Sequence, residues 1–191
     1  MKKVKKYRFL LLAAVLALSL LPVSGLTLGA PGDDARLQAI APAGAVTVEA
    51  PSGTTTTVTQ PDVNVLGSGG AVVLGGSGGT AYLYGSFASS TSAPAVTIGA
   101  GWTVLIGSTD SVTTAISAVT DSDSEVCGVK ISGASTVTLE SGSITATNTN
   151  RSGSSRAYGV YAENGATVNL GQAASTEAYG TGAAIVTFGA S

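Results

Sequence analysis

In Gly128-Val129-Lys130-Ile131-Ser132-Gly133-Ala134-Ser135-Thr136-Val137-Thr138-Leu139, two short runs, Val129-Lys130-Ile131 and Val137-Thr138-Leu139, start eight residues apart around a cluster of small residues. Alternation at period two is the signature of a strand, because successive side chains leave opposite faces of the backbone. The Ser/Gly/Ala cluster between the runs is turn chemistry. The same offset recurs in Val96-Thr97-Ile98 with Val104-Leu105-Ile106, in Val160-Tyr161-Ala162 with Val168-Asn169-Leu170, and in Val63-Asn64-Val65 with Ala71-Val72-Val73. The pairs begin at residues 63, 96, 129 and 160, so they step by 33, 33 and 31 residues. In three of them a threonine precedes the second run: Thr103, Thr136 and Thr167. A fifth start is read at Val186-Thr187-Phe188. A fixed period of this length is the mark of a repeat architecture, in which each unit buries its apolar face only against its neighbours.

Each unit reads as two strands joined by a turn such as Gly67-Ser68-Gly69-Gly70 or Glu163-Asn164-Gly165, followed by a third strand in Ala81 to Phe87, Ser111 to Ala118 and Ser143 to Thr147. Val96, Ile98, Val104, Ile106 and their counterparts are expected to face inward, with Thr97, Lys130, Tyr161, Thr138 and Asn169 outward.

Three strands per turn, a step of about thirty residues and Gly or Asn at the corners resemble a right-handed parallel β-helix. The resemblance covers residues 63 to 191 and extends weakly over Val46-Thr47-Val48 and the Thr54 to Thr57 run, implying an all-β solenoid of four to five rungs. Gly128 to Ile131 and Ala157 to Leu170 are similar, in composition, to the degenerate repeats of bacterial surface adhesins and autotransporter-type passenger domains. An antiparallel β-sandwich of about eight short strands is the alternative that the same punctuation permits.

Lys2, Lys3, Lys5, Lys6 and Arg8 precede an apolar run from Phe9 to Leu21, which Pro22 stops. Val23-Ser24-Gly25 then supplies the modest side chains that a signal peptidase reads, so residues 1–25 are expected to be a signal peptide cleaved after Gly25. Leu28 and Pro31 flank the other candidate, Ala30, badly, and an uncleaved anchor would need the run to continue past Pro22 and Gly25 to Leu28. Residues 26–45 lack periodicity and read as a linker, with the repeat region at 46–191. The fifth start stops at Ser191 before its second strand, so the chain is expected to be truncated at its C-terminus, the N-terminal piece of a longer protein.

Of nine basic residues five leave with the signal, so Arg36, Lys130, Arg151 and Arg156 face eleven acidic ones, a net charge of -7. Such a chain has no electrostatic footprint for a phosphate backbone, and nucleic acid is excluded as an expected partner. No second apolar segment of spanning length follows the signal, so no membrane insertion is expected after cleavage. The lone Cys127 has no internal disulfide partner and reads as a small apolar residue beside a strand, with intermolecular pairing as the other reading.

The chain contains no histidine, which removes the commonest metal ligand and the usual base of a serine triad. Asp121-Ser122-Asp123-Ser124-Glu125, with Asp110 upstream, offers alternate carboxylates to calcium but lacks calcium-loop grammar, and reads as a solvated loop. Glu140 and Lys130 read as a surface ion pair rather than a catalytic one. Tyr82 and Tyr84 share a strand face, and Tyr161 takes an outward repeat position; all three suit a half-buried sheet surface and also the stacking of sugar rings. Trp102 reads as a corner-packing residue, Gly67 to Gly79 as turn glycines without a phosphate-loop lysine, and Asn150-Arg151-Ser152 as a sequon that matters only in a glycosylating host.

No catalytic residue, cofactor or metal ligand is therefore assigned. The expected function is a secreted or cell-surface structural and adhesive protein without catalytic activity. Its partners would be surface glycans or host and cell-envelope components. A fragment of a β-helix carbohydrate-active enzyme, lyase or hydrolase, and a self-assembling unit that associates end to end are the alternatives.

Overall fold

The computed structural model describes residues 45–109, 111–150, 155–170, 175–178 and 183–188. The chain divides into two units, Met1–Pro31 and Gly32–Ser191, and only the second holds described residues. The expected signal peptide (1–25) and all but the last residue of the expected linker (26–45) lie outside them.

Fourteen strands make up the described fold: β1 Val46–Pro51, β2 Thr55–Val58, β3 Val63–Leu74, β4 Gly79–Ser89, β5 Val96–Ile98, β6 Trp102–Ile106, β7 Ala115–Thr120, β8 Glu125–Ile131, β9 Thr136–Leu139, β10 Gly142–Asn148, β11 Arg156–Ala162, β12 Thr167–Leu170, β13 Ser175–Ala178 and β14 Ala183–Phe188. Every pairing among β1 to β12 is parallel, which no antiparallel sandwich can satisfy. The sheet winds about an axis as a parallel β-helix.

The helix has three faces. The first stacks β1, the start of β3, the start of β4, β6, β9 and β12. The second stacks β2, the end of β3, β5, β8 and β11. The third stacks the end of β4, β7 and β10. The long strands β3 and β4 each bend from one face onto another, β3 through an irregularity between Ser68 and Gly70.

Stacking places like residues in columns down the interior. Val63, Val65, Leu83, Ile106, Val137 and Leu139 line the first face, Val72, Leu74, Val96, Ile98, Val129 and Ile131 the second, and Phe87, Ile116 and Ile144 the third, all essentially inaccessible to water. Thr97, Lys130, Tyr161 and Thr138 lie half-buried on the outside, and Asn169 is exposed, as the alternation predicts. Trp102 is 1% exposed and its indole N–H donates to the Gly75 carbonyl at 3.1 Å, so it packs a corner into the core.

The register corrects the first repeat. Val96 stacks on Val129 and Val129 on Val160, as the period predicts, but it is Val72, not Val63, that stacks on Val96. Val63 lies opposite Ala81, in the column that runs through residues 46, 63, 81, 104, 137 and 168, with steps of 17, 18, 23, 33 and 31. The early turns are short because they lack the third face: β3 passes directly from the first to the second, and only from β4 onward does the chain insert a third strand. The same shift shows that the threonine row Thr103, Thr136, Thr167 begins at Thr80.

The fifth start is also corrected. Val186 falls within β14, which runs antiparallel along β10 with Val186 opposite Ile144, and β13 pairs antiparallel with β14. This segment therefore closes the edge of the third face instead of beginning another parallel rung.

Candidate functional site

Corners set what the outer faces can display. After β11 the chain turns at Asn164 and Gly165, both with positive φ (56° and 81°), and the Ala166 amide donates to the Glu163 carbonyl at 3.3 Å. Two consecutive positive φ values are the geometry that Asn-Gly adopts most readily. This turn brings Glu163 back beside the strand it has just left.

On the outside of the second face, β8 and β11 lie in register with Glu125 opposite Arg156, Cys127 opposite Tyr158 and Lys130 opposite Tyr161. Arg156 Nη1 lies 3.7 Å from Glu125 Oε1, and Lys130 Nζ lies 3.8 Å from Glu163 Oε1. Lys130 Nζ also sits 5.6 Å from the centre of the Tyr161 ring, within cation–π range. The Tyr158 and Tyr161 rings are 5.1 Å apart with their planes inclined at 54°. Hydrogen bonding to the Tyr158 hydroxyl, then the charge of Glu125, holds the Arg156 guanidinium more firmly protonated. All six of these aromatic and charged side chains are partly or well exposed.

Cys127 lies beneath them, 7% exposed. Burial pushes its thiol pKa up, Lys130 opposes the shift, and Glu125 and Glu163 add to it. It is thus the small, buried, unreactive residue that its place beside a strand implied.

The other residues singled out in the sequence fall elsewhere. Tyr82 and Tyr84 do share a face and stack, at 5.3 Å and 19°, but Tyr82 is only 5% exposed and its hydroxyl donates to the Gly107 carbonyl at 3.2 Å. Burial raises the Tyr84 pKa, and a hydrogen bond with Thr47 partly offsets it. Nearby, the side-chain oxygen of Asn64 is buried without a hydrogen-bond partner. Lys130 is engaged by Glu163; Glu140 follows β9 on the first face, whereas Lys130 stands on the second.

In the acidic segment the serines, not the carboxylates, organise the corner. Ser122 Oγ bonds Thr120 Oγ1 at 3.0 Å and Ser124 Oγ at 2.7 Å, and the buried Asn148 donates to the Ser122 and Ser124 carbonyls at 3.2 and 2.6 Å. Asp121, Asp123 and Glu125 point to solvent, and no group of three His, Cys, Asp or Glu positioned to hold a metal ion occurs among the described residues. Asp110, Arg151 and Ser152 lie outside the described residues, while Asn150 donates to the Asp121 carbonyl at 2.9 Å. Gly67 to Gly70 make the bend in β3, and the glycines at 75 to 79 form the corner before β4.

Tyr158, Arg156, Glu125 and Glu163 were not singled out in the sequence. The signal was present: 125 to 156, 127 to 158 and 130 to 161 are separated by 31 residues, one step of the repeat, so stacked neighbours could be found by adding that step. Searches against protein-family models, curated proteins and solved structures find no match to this chain.

Proposed function

We propose that this chain is an exported, secreted or surface-displayed protein of bacterial type that works by presenting the outer faces of its β-helix to a binding partner, without catalysis. The observation that carries this reading is the stacked outer row on the second face. There Thr97, Lys130 and Tyr161 repeat from rung to rung, in register and partly exposed, so that one face offers a regular ladder of polar and aromatic groups. The basic stretch and apolar run of residues 1–25 support export. Resemblance to adhesin and autotransporter-type repeats supports glycans or cell-envelope components as partners.

The test is expression of the full chain with its own leader in the native source, followed by intact-mass measurement of the product in the medium and on the cell surface, and by adherence of fluorescently labelled protein to cells. Product carrying a mass that begins at Leu26, together with saturable adherence, is the expected result. Retention in the cytoplasm, or no adherence to any cell type, overturns the reading.

Self-association end to end is the second reading. Val46, at one end of the first-face column, is 58% exposed, and Val168, at the other, is only partly buried, so the described core is incompletely covered at both ends. Unpaired strand edges of this kind recruit further strands. A single monomeric species in sedimentation velocity across a hundredfold concentration range would dismiss it.

A further inference from the structure

Lys130 and Arg156 are the only basic side chains among the described residues, and both stand on one patch of the second face, each beside a carboxylate and a tyrosine. A surface poor in charge thus gathers its two cations, two of its carboxylates and an inclined pair of aromatic rings onto two adjacent strands.

The chemistry of this patch selects a ligand. Two cations balance Glu125 and Glu163, so the patch carries no net charge, and an anion would meet two carboxylates for every two cations. Both ion pairs are long, at 3.8 and 3.7 Å, against about 2.8 Å for a tight charge-assisted hydrogen bond. A hydroxyl group, donor and acceptor at once, can enter such a pair and bond both partners; a simple anion or cation can bond only one. The half-buried Tyr158 and Tyr161 rings present electron-rich faces beside these pairs. Those faces favour the partly positive C–H bonds of an apolar ring surface. A ligand with C–H faces and hydroxyl edges, and without formal charge, satisfies all of these groups together.

From this we infer that the outer surface of β8 and β11 is a binding site for neutral, hexose-built oligosaccharides, with Tyr158 and Tyr161 as the platform for the sugar rings. The Lys130–Glu163 and Arg156–Glu125 pairs receive the hydroxyls. The inference rests on the adhesive reading above and names its ligand class and its site.

The experiment titrates the full chain, by isothermal calorimetry and ligand-observed NMR, with cellohexaose, maltohexaose and mannohexaose, and with oligogalacturonate as the anionic arm. At least one neutral hexaose binds with a Kd in the millimolar range or tighter, Tyr161→Ala and Tyr158→Ala weaken it at least tenfold, and Thr138→Ala on the first face leaves it unchanged. Circular dichroism checks that each variant is folded; Tyr161→Leu, which keeps much of the side-chain carbon, replaces the alanine variant if that one unfolds. Absence of binding by all three neutral hexaoses, binding of oligogalacturonate alone, or equal binding by folded tyrosine variants overturns the inference. Adherence to cells is measured in parallel: wild-type adherence that survives both tyrosine substitutions removes this site but leaves the adhesive reading intact, whereas loss of adherence in the wild type removes the adhesive reading itself.

Discussion

Replacing Ile98 by alanine tests the stacked core most directly. Ile98 is 0% exposed and lies between Leu74 and Ile131, its in-register neighbours on the rungs above and below, both also inaccessible. The substitution removes three carbons, at about 0.8 kcal/mol each a transfer loss of ~2.4 kcal/mol. The flanking strands are held to the rung spacing by their ladder hydrogen bonds, so the space closes poorly; a residual void of about 50 Å³ at ~24 cal/mol per Å³ adds ~1.2 kcal/mol. The expected destabilisation is thus about 3–4 kcal/mol. Urea unfolding followed by circular dichroism reads it, with the slope unchanged and the midpoint lowered. Thr97→Ala, one residue away on the outer surface, is expected to change stability by no more than about 0.5 kcal/mol. A cost below about 1 kcal/mol for Ile98→Ala, or equal costs for the two substitutions, would refute the assignment of inward and outward rows.

The register predicts that, in a Cys127→Ser background, Val73→Cys with Thr97→Cys oxidises to an intramolecular disulfide while Asn64→Cys with Thr97→Cys does not, since Thr97 lies opposite Val73; peptide mapping after mild oxidation distinguishes them. Burial raises the pKa of both Cys127 and Tyr84, so the folded state favours their protonated forms. Their stabilising contribution is complete below the ordinary thiol value of 9.0 and is lost as pH rises through the raised values, first for the thiol and then for the phenol, whose ordinary value is 10.0. The urea midpoint should therefore fall on the alkaline side, and Cys127→Ser should remove the earlier part of the fall. Native Cys127 should react with a thiol reagent at neutral pH far more slowly than in urea. Gly78→Ala should cost more than about 1 kcal/mol, because φ is +89° there and an added Cβ would overlap the Gly101 backbone; a wild-type melting curve would contradict this packing of the corner.

Much of the solenoid was legible because three copies of one pattern share their step. Val96, Val129 and Val160, with Thr103, Thr136 and Thr167, stack as their spacing indicates. The first copy misled because apolar alternation in a strand states which residues face inward but not which wall they face. Val63 and Val72 are both inward, and the 33 residues from 63 to 96 match the later step without joining stacked residues. The fifth copy misled for a related reason, since Val186-Thr187-Phe188 alternates equally well whether its strand runs parallel or antiparallel. At the candidate site, Tyr161 and Lys130 were recognised as outward. The ion-pair partner of Lys130 was sought ten residues along the chain at Glu140, although in a solenoid a side chain's neighbours lie one full turn away or just around the next corner, where Glu163 stands.

The change from two walls to three also bears on the order of assembly. Closing a ring of 17 residues, as from Val46 to Val63, costs less chain entropy than closing one of 33, as from Val104 to Val137, by about 0.6 kcal/mol for a doubling of length. The difference is small for one turn but is repeated, and it favours the narrow end, which is also synthesised first. That end would serve as the seed on whose exposed edges each broader coil is laid down. Pulse-labelled hydrogen exchange during refolding should then protect the amides of β1 to β3 before those of β9 to β12, and the reverse order would count against growth from the narrow end.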